Sequence, residues 1–141
     1  MKDGDWELQR DMVKELLGKK ADAVILAPAD SSNMTASAKT LREQKLPVFL
    51  VDTALSSNDY DAAFLTDNLE AGAEVCQQMV EQMKASGVKE SEEATVLVHV
   101  STLASTTISD RLNSIMANWG KFASASWKIE HDYIINYGDE A

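Results

Sequence analysis

Apolar positions recur along this chain at two spacings, helical and strand-like, and the alternation predicts nine elements. Residues 7–18 read as a helix in which Met12, Val13, Leu16 and Leu17 share a face and Gly18 is placed to end it. Residues 23–27 form a short continuous apolar run closed by Pro28, which suits a strand covered on both faces. Ser31, Ser32 and Asn33 can cap a second helix whose Met34, Ala38 and Leu41 lie on one side. Pro47 introduces a strand at residues 48–51, and residues 62–65 form another. A long helix from residue 69 to about residue 86 gathers Gly72, Cys76, Met79, Val80 and Met83, with Gly87 as terminator. ATVLVHV, residues 94–100, reads as a buried strand. Ile108, Leu112, Ile115, Met116 and Trp119 then make a full helical stripe ahead of Gly120, and residues 127–135 are the last strand.

The order α-β-α-β-β-α-β-α-β predicts an α/β fold, a parallel sheet covered by helices. The pattern holds no internal repeat. It opens on a helix with no strand before it and closes at NYGDEA, where a further helix would begin, so the chain reads as a fragment of something longer. Open sheet edges would follow, and these would permit self-association or domain swapping.

Composition changes the picture in three ways. Net charge is -10, from 23 acidic against 13 basic residues, which argues against nucleic acid because phosphate binding needs clustered Lys and Arg. No apolar run reaches the length of a membrane span, and MKDGDWELQR lacks the apolar centre of a signal peptide, so the residues as written predict a chain that stays in the cytoplasm. The single cysteine, Cys76, rules out an internal disulfide and fits the helical stripe as a small buried residue.

In open parallel sheets, ligands bind beyond the carboxyl ends of the strands. Asp30, Asp52 and the pair Asp67–Asn68 fall at three such ends, and the loop STLASTTISD follows a fourth, with Arg111 early in the next helix. A carboxylate at a strand end can accept charge-assisted hydrogen bonds from two neighbouring hydroxyls. The planar fork of Arg111 is complementary to hydroxyls or a ring oxygen. Aspartate also commonly caps turns, and that reading stands beside the ligand reading for Asp52 and Asp67. Tyr137 could stack on a sugar face or simply be a partly buried loop tyrosine. His99 reads as a core histidine and His131 as a solvated one. No metal motif, nucleophile motif or phosphate loop is present, which argues against an enzyme and against a bound cofactor.

The runs ADAVILAPAD, LPVFLVD and AAFLTDN with Gly72, followed by ATVLVHV, a Ser/Thr-rich loop and Arg111, resemble the type I periplasmic binding proteins. The ribose-type sugar-binding proteins of ABC transporters are most similar. Where that family often reads R-x-x-G-F, this chain has RLNSI, with Ser114 and Ile115 in place of Gly-Phe. The resemblance implies two lobes closing on a sugar or polyol, with residues 1–67 in the N-terminal lobe and 68–141 beginning the C-terminal one. It implies ligand contacts at Asp52, Thr53, Arg111 and Tyr137, a hinge at Asp67 and Asn68, and no cofactor. Thr53 stands where ribose-type proteins carry a basic contact. The implied partners are the sugar and, for a full-length protein, an ABC transporter permease. Its location would be periplasmic or extracellular and lipid-anchored. The same fold serves as the effector-binding core of LacI-type transcription regulators, and that alternative stays open at this point, with an α/β enzyme behind it.

Overall fold

The computed structural model describes residues 5–133. Its elements are α1 (Trp6–Leu17), β1 (Val24–Leu26), α2 (Thr35–Glu43), β2 (Val48–Val51), β3 (Ala62–Phe64), α3 (Asn68–Ala85), β4 (Ala94–Val100), α4 (Thr106–Phe122) and β5 (Trp127–Tyr133). They fall into two compact units. Among the described residues the first comprises 5–66 together with Ala104–Thr107, and the second comprises Asp67–Leu103 together with 108–133. Among the described residues no helix is long and apolar enough to cross a membrane.

In the first unit, β1, β2 and β3 form a parallel sheet in that order, with Leu26 beside Leu50 and Leu50 beside Ala63. These strands form because their apolar residues alternate across the sheet: Val24, Leu26, Val48 and Leu50 point to one face. Ala38 and Leu41 of α2, with Met34 just ahead of it at helical spacing, meet that face without any exposure, and Val13 of α1 joins them. The cover on both faces expected for residues 23–27 is therefore not found among the described residues. Both helices pack on the same side, and Ile25 (73% exposed) and Phe64 (68%) project from the other. Met12 also departs from expectation. It sits one residue, about 100° of helical turn, from Val13 and remains nearly half exposed. Asp5 starts α1 by accepting a 2.9 Å bond from the Leu8 amide.

In the second unit β4 and β5 run parallel, with Ala94 beside Trp127 and Val96 beside Ile129. Cys76 and Val80 of α3 and Trp119 of α4 pack against Trp127. Both indoles have their N–H satisfied: Trp119 Nε1 donates to the Trp127 carbonyl at 3.0 Å, and Trp127 Nε1 to the Lys89 carbonyl at 3.3 Å. A Cβ on Gly72 would lie 2.5 Å from the Arg111 carbonyl oxygen and 2.7 Å from Ser114 Cβ. Only glycine therefore lets α3 and α4 come this close. Ser114, unexpected beside the family pattern, uses the approach by donating its hydroxyl to the Leu69 carbonyl. Met79 faces outward rather than joining Cys76, and α4 continues through Gly120 to Phe122. His99, expected in the core, is exposed, because β4 turns Thr95, Leu97 and His99 away from the helices.

Candidate functional site

The carboxyl end of β1 is held from two directions. Gln9 of α1 donates from Nε2 to the Ala27 carbonyl at 2.7 Å and accepts from the Ala29 amide at 2.8 Å. Beyond it, Asp30 accepts from the Ser32 and Asn33 amides at 2.8 and 2.7 Å and from the Asn33 side chain at 3.0 Å. The turn that leads into α2 is thus organised by Asp30 rather than by Ser31, Ser32 or Asn33, and the buried Asp30 carboxylate is fully engaged in it.

Asp52 follows β2, the middle strand, and has a backbone φ of +65°. The Thr53 amide donates to the Val51 carbonyl at 2.8 Å, closing a three-residue turn around it. This is the γ-turn form with positive central φ, the rarer and more strained of the two. The Asp52 amide donates to Phe64 of β3 at 3.2 Å, and the Asp52 carbonyl accepts from the Thr107 hydroxyl at 2.8 Å. Asp52 is exposed. Thr53, beside it, is only 3% exposed, and its hydroxyl lies 3.1 Å from Asp52 Oδ2 and 3.3 Å from both Ser105 Oγ and Thr107 Oγ1. Ser31 extends the cluster: its amide donates to the Ala104 carbonyl, and its Oγ accepts from the Thr106 amide at 3.1 Å. Ser31, Thr53, Ser105 and Thr107 are all buried, so the first unit has a polar layer of hydroxyls beneath Asp52.

The other expected residues lie in the second unit or outside the described residues. Asp67 caps α3, accepting from the Glu70 amide at 2.9 Å. Asn68, the first residue of that helix, has a buried Oδ1 with no partner among the described residues. Arg111 is exposed in the second turn of α4, and its guanidinium enters none of the ion pairs found among the described residues. Tyr137 lies outside the described residues. So Asp52 and Thr53 are brought together, with Ser105 and Thr107 as neighbours that single-residue reasoning did not select. Their signal was present in the density of hydroxyls in STLASTTIS. Burial pushes the Cys76 thiol up, as its place in the core requires. Among the described residues no three His, Cys, Asp or Glu side chains gather as a metal site.

The sequence matches the family described as periplasmic binding protein domain over residues 2–140. A search of curated proteins returns no match. Among solved structures, this chain is similar to an ABC transporter solute-binding protein from Agrobacterium vitis with bound D-fucose. The TM-score is 0.79 at 22% identity, over 94% of this chain and 44% of that one. It is similar to a carbohydrate transporter solute-binding protein from Agrobacterium radiobacter in complex with D-arabinose, with a TM-score of 0.81 at 16% identity and the same coverage, 94% and 44%. The periplasmic binding component of the arabinose ABC transporter from Shewanella sp. ANA-3 gives a TM-score of 0.74 at 18% identity, over 90% of this chain and 40% of that one. At these identities the likeness shows the fold, an α/β architecture of the type I kind. The chain spans less than half the length of each of these neighbours.

Proposed function

We propose, because this chain belongs to the periplasmic binding protein domain family, that it is part of a solute-binding protein recognising a sugar or polyol for ABC-transporter uptake. The observation that carries the reading is Asp52: an exposed carboxylate at the carboxyl end of the middle strand, presented from a turn in which its own amide and carbonyl are both bonded. An ionised carboxylate accepts from two hydroxyls of a ring at once, and such charge-assisted bonds are about twice as strong as neutral ones. The neighbours that carry D-fucose and D-arabinose support the ligand class.

In this reading Arg111 supplies a second ligand contact, donating through its fork to ring or hydroxyl oxygens. Asp67 and Asn68, where the chain passes from the first unit to the second, serve as a hinge. The unpartnered Asn68 Oδ1 supports that role, since a buried acceptor left open in one arrangement can be satisfied in another. The role is binding, with no chemical step assigned. The full-length protein would work in the periplasm or, lipid-anchored, outside the cell, and would deliver its ligand to a permease.

Calorimetric titration with D-fucose, D-arabinose, L-arabinose and D-fructose tests the reading. Binding by the isolated chain should be weak, because a chain shorter than half its neighbours holds only part of an enclosing site and its ligand is poorly pre-organised. Asp52→Asn should lower the affinity by roughly tenfold or more, in line with loss of a charged acceptor. Equal affinity in the Asp52→Asn and Arg111→Met variants would remove both residues from the site.

A further inference from the structure

Asp52 sits in a backbone conformation that non-glycine residues adopt rarely, and such strain persists only where the surroundings over-determine it. Part of what over-determines it here comes from far along the chain. Thr107 is fifty-five positions from Asp52, and Ser105 fifty-two from Thr53. Both belong to Ala104–Thr107, the four-residue stretch that counts with the first unit although its flanking residues count with the second.

The hydroxyl protons can be assigned by count, since each hydroxyl has one. Thr107 donates its proton to the Asp52 carbonyl at 2.8 Å, the shortest contact it makes in the cluster. The Asp52 carboxylate can only accept, so the 3.1 Å contact from Thr53 uses the Thr53 proton. Thr53 Oγ1 then has lone pairs but no proton left, and Ser105 is the group that can donate to it across 3.3 Å. The result is a directed pair of paths. Ser105 to Thr53 to Asp52 Oδ2 fixes the carboxylate, and Thr107 to the Asp52 carbonyl fixes the turn.

From this we infer that Thr107, Thr53 and Ser105 are positioning residues that latch Asp52 in its positive-φ turn and aim its carboxylate outward, Thr53 acting from beneath rather than as a ligand contact. The inference rests on the reading of Asp52 as a carbohydrate contact. It also adds a consequence: affinity for the sugar depends on buried hydroxyls that never touch it. With Thr53 holding Oδ2 from below, Oδ1 and the remaining lone pair of Oδ2 are left for ligand hydroxyls, a division that favours two adjacent hydroxyls over one.

The test uses the whole chain with Thr107→Ser, Thr107→Val and the double variant Thr53→Val/Thr107→Val. NMR couplings across the N–Cα bond of Asp52 report the sign of φ, and titration with D-fucose and D-arabinose reports affinity. In the unmodified chain and Thr107→Ser, φ should stay positive and affinity should agree within about twofold, as a retained donor requires. Thr107→Val should weaken binding roughly five- to tenfold, the size of one buried hydrogen bond. The double variant should lose the positive φ. A φ still positive in the double variant overturns the latch, whatever the sugars do. An affinity untouched by Thr107→Val, in a chain where Asp52→Asn abolishes binding, overturns the positioning role and leaves the sugar reading standing. If no sugar binds the unmodified chain, the sugar reading fails, and the φ measurement still decides the latch. Should the double variant fail to fold, Thr107→Val alone takes its place, with the same φ readout deciding, because Thr107 is the donor that fixes the turn.

Discussion

The two units meet the same requirement, burying apolar residues of parallel strands under a pair of helices, with different completeness. In the first, Met34, Ala38, Leu41, Val48 and Leu50 have no exposure at all, and a polar layer of serines and threonines lies above them. In the second, Cys76, Val80 and two tryptophans make the core of a two-stranded sheet, while Leu97 stands 62% exposed and Val75, Met79 and Leu69 face outward. Among the described residues an apolar groove of about 210 Å³, lined by Val75, Met79, Leu97 and His99 among others, runs beside β4. A parallel pair of strands is marginal alone, because such sheets gain stability from cover on both faces. The difference teaches that the carboxylate carrying the binding proposal is mounted on the better-packed half.

Leu50→Ala should bring the largest loss, about 2–5 kcal/mol of unfolding free energy in urea denaturation, since its site is fully enclosed and leaves a cavity. Gly72→Ala should cost about 1–3 kcal/mol in the same assay, because its methyl group meets the Arg111 backbone, which has no flexible end to give way. A loss confined to hydrogen exchange of α3, α4, β4 and β5 would sharpen the contrast between the units, and a uniform loss would blur it. Asp52→Gly should move stability the other way, by up to about 1 kcal/mol, as relief of the positive φ outweighs the freer unfolded chain. The same change should abolish sugar binding in calorimetry. Leu97→Ser should have the smallest effect, within about 0.5 kcal/mol, because the side chain is already in water. A large penalty there would mean that the open face of β4 is covered in solution.

The element order and the composition of each core were legible because periodicity reports burial directly: Met34, Ala38 and Leu41 stand at helical spacing and are fully enclosed. Which face of a strand meets the helices was less legible. Ile25 reads as core by composition, yet it projects from the bare side, since a continuous apolar run does not say which of its neighbours will arrive. His99 misled for the same reason. At the site, Asp52 was legible as a carboxylate after an apolar run, but its γ-turn was not, because nothing local in VDT demands a positive φ. That conformation depends on Thr107, a contact invisible to any window of adjacent residues.

The hydroxyl bridge between residues so distant in sequence bears on how the protein is made. While a ribosome is still extending β4, the sheet of the first unit can already assemble, but Asp52 has no Thr107 to hold it. Long-range closures of this kind come late. A nascent chain arrested before Ser105 would therefore carry a stable hydrophobic core and a carboxylate not yet set in place, so competence to hold a ligand would arrive after stability does.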